Sequence, residues 1–217
     1  KKGSDRSLPF FIPYLLSMQN KHKCAWCLGD PLYEAYHDHE WGVPVIDDQT
    51  LFEFLTLETF QAGLSWITVL RKRAHFRTAF DAFDYQKIAR YSVNKIESLL
   101  ENPEIIRNRL KILATISNAN AFIKLQKEYG SFGRYIWSFV DFETIQNRFS
   151  SYDQIPAFSP LAQTISKALK KEGFKFIGPT VVYAHMQATG MVNDHEVQCF
   201  RHQEVAALKT RPLALKG

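Results

Sequence analysis

The chain has 217 residues, 46% of them hydrophobic, with 27 basic and 22 acidic side chains for a formal charge of +5. That length allows one sizeable core or two small lobes, and that hydrophobic fraction excludes a disordered chain. Three cysteines, an odd and sparse count, exclude a disulfide framework, while the small positive excess permits a polyanionic partner without requiring one.

Residues 8–16 are apolar but too few to span a bilayer, and Pro9 and Pro13 spoil a helix there. A basic start precedes them, as in a signal peptide, but no small-x-small cleavage site follows. Residues 1–17 are therefore expected to be an extension or a cloning remnant, with Met18 a candidate start. Asp47 or Asp48 can cap a helix carrying Leu51, Leu55 and Glu58 along one side. Gly63 interrupts it, and residues 64–80 continue as one or two basic helices. Ile105, Ile112, Ile116, Ala119 and Ile123 keep the helical period, and Gly130 suits the stop. A short helix is expected around Tyr135, Trp137 and Phe139, and residues 142–158 read as irregular.

Ser159 and Pro160 then form an N-cap and first-turn pair, followed by an apolar stripe of Leu161, Ile165, Ala168 and Leu169. Gly173 ends that helix, residues 174–177 make a short connection, and Gly178 with Pro179 starts another helix that Gly190 closes. The unit is helix, tight hairpin, helix. With no alternating strand pattern elsewhere, the fold class is all-α.

Cys24 and Cys27 form a C-x2-C, and His195 and Cys199 lie four apart, a spacing that on a helix puts both on one face. His37 and His39 offer further nitrogens beside the first pair. A metal bound by both groups would clamp the two ends of a chain that has no disulfide. Spacing alone favours Cys24, Cys27, His195 and Cys199 and leaves the choice of histidine open.

Two stretches suit a nucleic-acid backbone. The hairpin Lys170-Lys171-Glu172-Gly173-Phe174-Lys175-Phe176-Ile177-Gly178 is basic and bounded by glycines, which let a phosphate approach the backbone. The helix after Gly178 points free N–H groups toward that gap, which would position DNA without reading its sequence. Earlier, Gln61-Ala62-Gly63-Leu64 is a small-residue loop tipped by a leucine, a shape able to wedge into a base stack; Arg71, Lys72, Arg73 and Arg77 follow it. An ordinary turn with solvated lysines and a core leucine would leave the same pattern.

Taken together, Cys24-Ala-Trp26, Asp30-Pro-Leu-Tyr33, Tyr36-His37-Asp38, Glu40-Trp41-Gly42-Val-Pro44, Leu57-Glu58, Gln61-Ala-Gly-Leu-Ser-Trp66-Ile-Thr-Val-Leu70, Gly173-Phe-Lys-Phe-Ile-Gly178 and Val192-Asn-Asp-His195 resemble the 3-methyladenine DNA glycosylase I family of the helix-hairpin-helix glycosylases. The resemblance runs collinearly from about Cys24 to Cys199. It implies a single glycosylase domain over residues 18–205, with residues 206–217 a tail, and a structural zinc joining the N- and C-terminal segments through Cys24, His37, His195 and Cys199. His37 thus replaces Cys27 in the ligand set that spacing favoured. The resemblance assigns Tyr36 and Trp66 to the base, with Trp26 and Tyr33 beside them, Glu58 to the pocket carboxylate, and Gln61, Gly63, Leu64, Gly173, Lys175 and Gly178 to DNA. The superfamily's catalytic aspartate aligns with Asn193, so Asp194, one place off, is not expected to serve as the acid.

The implied activity is hydrolysis of the N-glycosidic bond of 3-methyladenine in double-stranded DNA, leaving an abasic site. Methylation at N3 makes the base cationic and its leaving group neutral, so an extruded nucleotide needs an aromatic cage and a carboxylate more than a strong acid. The enzyme is expected to be a monomer in the bacterial cytoplasm, at the nucleoid through its DNA, without membrane contact. The alternatives are a glycosylase of the same fold for another alkylated purine, or a non-catalytic zinc-stapled DNA-binding module. A zinc hydrolase is disfavoured because four protein ligands leave no open position.

Overall fold

The computed structural model describes residues 21–208; the apolar stretch at 8–16, Met18 and most of the tail lie outside the described residues. Among the described residues ten α-helices carry the fold: α1 (Pro31–His39), α2 (Asp48–Gln61), α3 (Trp66–Ala79), α4 (Tyr85–Ile88), α5 (Val93–Glu101), α6 (Arg109–Tyr129), α7 (Phe132–Trp137), α8 (Pro160–Lys171), α9 (Pro179–Ala188) and α10 (Phe200–Ala206). The expected all-α architecture stands, with one addition. Within the irregular stretch, β1 (Ile145–Gln146) pairs in parallel with β2 (Val192–Asn193), a two-residue ladder that ties residues 142–158 to the segment carrying His195.

Helix α2 is the centre. Every residue from Leu51 to Phe60 is buried, because α3, α6, α7 and α9 pack around it. A helix covered on all sides buries its polar residues too, which is how Glu53 and Glu58 come to lie inside. Phe52 meets Phe122 of α6 at 5.2 Å between ring centres, and Phe122 stacks on Phe132 of α7 at 4.1 Å. Each such ring taken from water is worth roughly 1.5–3 kcal/mol.

Local signals set the helix ends. Of the two candidate caps of α2 it is Asp47 that accepts from Thr50 N; Asp48 turns to the start of α7, where it accepts from Phe132 N and Gly133 N beside the Ser131 cap. Ser159 accepts from Ala162 N with Pro160 in the first turn of α8, and Pro179 opens α9. Three boundaries shift. Residues 64–65 precede α3; Ile105 is buried ahead of α6, which Asn108 caps; and Phe139 falls in a single 3-10 turn after α7.

Candidate active site and metal centre

Cys24 precedes a 3-10 turn at Ala25–Cys27, and His37 sits in the last turn of α1. His195 and Cys199 do not share a helix as expected: residues 195–199 form a turn, and Cys199 is the N-cap of α10. The turn serves the same end, because it folds both side chains inward. Cys24 Sγ lies 3.6 Å from His195 Nδ1, Cys199 Sγ 3.4 Å from His37 Nε2 and 3.8 Å from His195 Nδ1, and the two ring nitrogens are 3.2 Å apart. All four donor atoms fall within 4.8 Å of one another and all four residues are buried, a group able to hold a metal ion.

The outer ring nitrogens are held as metal-binding imidazoles usually are. His37 Nδ1 faces Asp38 Oδ1 at 2.8 Å, and Asp38 pairs with Lys23 at 2.8 Å. His195 Nε2 donates to the Trp41 carbonyl at 3.0 Å, which leaves its Nδ1 lone pair facing the cluster. Gly42 is needed beside it. Its φ is +80°, and a Cβ there would come within 3.1 Å of His195 Nε2. The two thiols cannot both ionise against each other: the contact with Cys24 holds Cys199 well below the usual thiol range, and contact with Cys199 pushes Cys24 up. Cys27 is outside this group of four although it is buried close to His37, and its thiol donates to the Cys24 carbonyl at 3.2 Å. His39 is exposed.

Next to this cluster opens a cavity of about 600 Å³. Trp26, Tyr33, Tyr36 and Trp66 line one side of it and Glu58 of α2 reaches in. Trp26 meets Tyr33 edge-on at 4.8 Å, and Tyr36 meets Trp66 at 5.5 Å. Trp26 Nε1 and Trp66 Nε1 are buried without a hydrogen-bond partner. Glu58 is 3% exposed, and among the described residues no donor or cation meets its carboxyl. Burial therefore pushes its pKa from 4.5 up to about 8.

The opposite wall comes from α9. Tyr183 and Gln187 line the cavity, and both turn their polar ends to Asp194 Oδ2, at 2.7 and 2.8 Å; Asn147 Nδ2 donates to its Oδ1 at 2.6 Å. Asp194 thus lies one residue behind the wall with three donors. Asn193 faces away and donates to Gln146 Oε1 and the His202 carbonyl.

Gln61 lines the cavity mouth, Gly63 has φ +86°, and Leu64 is 42% exposed on the turn that follows α2, so it is not a core residue. Gly173 (φ +99°) ends α8, Lys175 is exposed at the hairpin, and Gly178 caps α9. The basic stretch after the leucine loop is spent on structure. Arg71 pairs with Asp30, Arg73 with Glu40 and Glu53, Arg77 with Glu53, and Lys72 donates to the Glu104 carbonyl. Sequence reasoning missed Asp38, Trp41, Tyr183 and Gln187. The carboxylate directly after His37 and the four-residue spacing of Tyr183 and Gln187 on the helix after the hairpin were the available signals.

The family model for methyladenine glycosylases matches residues 26–202. The chain is 46% identical over 177 residues to "DNA-3-methyladenine glycosylase 1" of Escherichia coli, covering 82% of this chain and 95% of that protein. It is 44% identical over 177 residues to "DNA-3-methyladenine glycosylase" of Haemophilus influenzae, covering 82% and 96%. Among solved structures, a crystal structure of 3-methyladenine DNA glycosylase I superposes with a TM-score of 0.80 at 50% identity, covering 82% of this chain and 98% of that one. One from Staphylococcus aureus, described as the structural basis of 3-methyladenine recognition, superposes with a TM-score of 0.79 at 36% identity, covering 82% and 94%.

Proposed function

Because this chain belongs to the methyladenine glycosylase family, we propose that it hydrolyses the N-glycosidic bond of 3-methyladenine in double-stranded DNA and leaves an abasic site. The observation that carries this reading is Glu58: a buried, unpaired carboxyl in an aromatic cavity. A cationic purine supplies the missing partner. Its charge favours the ionised carboxyl, so binding draws off the proton that burial retains in the free protein at neutral pH. The exocyclic amine donates to the carboxylate, while Tyr36, Trp66, Trp26 and Tyr33 present ring faces or edges to the base. Neutral adenine gains less from this site, which gives discrimination without a strong general acid. Asp194, with its three donors in place, has no role in proton transfer on this reading.

Gln61, Gly63 and Leu64 enter the stack beside the extruded nucleotide, and Gly173, Lys175 and Gly178 hold the phosphates. The residues named for the reaction all lie within one chain, and we read the enzyme as a monomer. No described helix is long and apolar enough to cross a membrane; the bacterial relatives support action on chromosomal DNA in the cytoplasm.

The ligand set fits structural zinc. Tetrahedral zinc with bonds of about 2.3 Å to sulfur and 2.0–2.1 Å to nitrogen spaces sulfur–nitrogen pairs at about 3.6 Å and nitrogen pairs at about 3.3 Å. The observed separations are 3.4–3.8 Å and 3.2 Å. Cys24, His37, His195 and Cys199 would fill all four positions, joining the two chain ends and placing Trp26, Tyr36 and Trp41 of the cavity next to the ion.

Chromatography of bases released from methylated duplex DNA tests the activity. Release of 3-methyladenine is expected; release of only another purine would move the protein to a different lesion, and no release would leave a binding module.

A further inference from the structure

The leucine loop and the hairpin are far apart in sequence, yet the same helix holds both. Lys111, on the first turns of α6, is buried, and its Nζ donates to the carbonyls of Phe60 at 3.0 Å and Ala62 at 2.8 Å. Those are terminal carbonyls of α2, where a helix leaves acceptors unsatisfied and favours a cation. Among the described residues no carboxylate pairs with this ammonium, and its burial lowers its pKa; the carbonyls are its whole compensation. Ala62 then leads directly into Gly63 and the exposed Leu64.

Two turns along α6, Asn118 brackets the peptide of Lys175. It accepts from Lys175 N at 2.7 Å and donates to Lys175 O at 3.1 Å, and Ser117 Oγ donates to the Gly173 carbonyl at 3.2 Å. The hairpin backbone so held includes Phe176 at φ +56°, a conformation that a non-glycine residue keeps only when its surroundings fix it. Lys111 and Asn118 are seven residues apart, so they share a helix face with a rise of about 10 Å between them.

We propose that α6 is a ruler: Lys111 and Asn118 are positioning residues that fix the spacing between the leucine wedge and the phosphate-gripping hairpin, so that gripping the backbone and opening the stack act as one event. The inference rests on the reading of the protein as a DNA glycosylase. Neither side chain touches the base. Their action is geometric, and misplacement of about 1 Å in such an arrangement can lower a rate by about a hundredfold.

The test is a double-mutant cycle of Lys111→Met and Asn118→Ala, scored three ways. Unstacking is read from 2-aminopurine fluorescence beside a tetrahydrofuran abasic site in duplex DNA. Excision is read in single turnovers on methylated duplex, and stability in thermal melts. Each single variant should lose about tenfold or more in unstacking and excision, while free 3-methyladenine still quenches the cavity tryptophans as in the unmodified protein. In melts the two changes should add, as separate contacts do. In unstacking and excision the double variant should be no worse than the worse single one, because a ruler cut at one end has nothing left to lose at the other. Lys111→Arg keeps a cation at the α2 terminus and should recover part of the loss; it enters the cycle if Lys111→Met does not fold. Losses that multiply in unstacking, or single variants that unstack like the unmodified protein, overturn the proposal. Unstacking needs no base release, so a protein that opened the abasic duplex but released no 3-methyladenine would refute the functional reading and leave the ruler standing.

Discussion

Helix α2 buries two glutamates five residues apart and treats them oppositely. Glu53 is met by Arg73 and Arg77 and serves to lock α3 onto α2. Among the described residues no donor or cation meets Glu58, which faces the cavity. Burying a carboxyl without a partner costs stability, so the same helix carries one group whose cost is offset inside the protein and one whose cost is left open. The difference teaches where to look for a ligand. Burial is shared by both; the missing partner marks the site. Asp194 extends the comparison, since it is equally buried beside the same cavity but already has Asn147, Tyr183 and Gln187.

The sharpest way to break this comparison is Glu58→Gln. The variant should fold and keep the metal proposed for the cysteine–histidine cluster, and lose about 10²–10³-fold in single-turnover excision, the range seen when one preorganised electrostatic contact is removed. Gln keeps the shape but loses the charge, and can turn an amide donor toward the exocyclic amine. If Glu58→Gln barely slowed excision while Asp194→Asn abolished it, the open carboxyl would not be the functional one.

The same variant tests the cost of leaving Glu58 open. The folded protein keeps the Glu58 proton up to about pH 8, whereas the unfolded chain releases it near the usual 4.5. Between those values the folded state binds a proton that the unfolded state does not, so this group makes stability fall as pH rises, by up to about 1.4 kcal/mol per unit. Glu58→Gln removes that slope. Its stability relative to the unmodified protein should improve between about pH 5 and pH 8.5 in urea melts; a constant difference would show that Glu58 titrates normally.

Asp194→Asn should show the reverse profile. It weakens a satisfied network at a cost of about 1–3 kcal/mol, or a fall of about 2–4 °C in the melting midpoint for each kcal/mol in a chain this size. Excision should drop less than for Glu58→Gln. A stable Asp194→Asn variant with excision lost would return the aspartate to the chemistry.

Lys175→Glu probes a contact outside both carboxyls and should do less. The side chain is exposed while its peptide is held by Asn118, so folding is untouched. Duplex affinity should fall across all sequences, and the slope of log K against log salt should flatten by about one. An unchanged slope would remove the hairpin from the phosphate contacts.

Much of this was legible in the sequence where a residue type has one local use. Ser159-Pro160, Gly173 and Gly178-Pro179 are cap and turn signals, and they placed the hairpin helices correctly. The collinear resemblance supplied His37 in place of Cys27, which spacing could not. What stayed hidden depends on long-range pairing. Arg71, Arg73 and Arg77 look like a DNA-facing stripe until Asp30, Glu40 and Glu53 are folded against them. Lys111 sits in an ordinary helical pattern, and only the tertiary fold brings it to the end of α2. His195 and Cys199 have the spacing of a helix face but reach their partners from a turn, because Cys199 starts α10 instead of lying within it.

Cys27→Ser should have the smallest effect, and it applies the same partnered-or-open contrast to the thiols. Cys24 and Cys199 point their sulfurs at imidazole nitrogens, within a group whose four donors lie inside 4.8 Å. Cys27 is three residues from Cys24 along the chain, but its thiol is turned to the Cys24 carbonyl at 3.2 Å. A serine hydroxyl there can make the same bond and is smaller, so no clash arises and the loss is about 1 kcal/mol or less, set by burying a more polar group. Elemental analysis after gel filtration should find one metal ion per chain in Cys27→Ser, as in the unmodified protein. Cys199→Ser, which puts a poor ligand in place of a thiolate in the proposed metal site, should lose the metal and melt at lower temperature. If Cys27→Ser lost the metal, the set favoured by spacing alone, with Cys27 in the place given to His37, would be the ligand set.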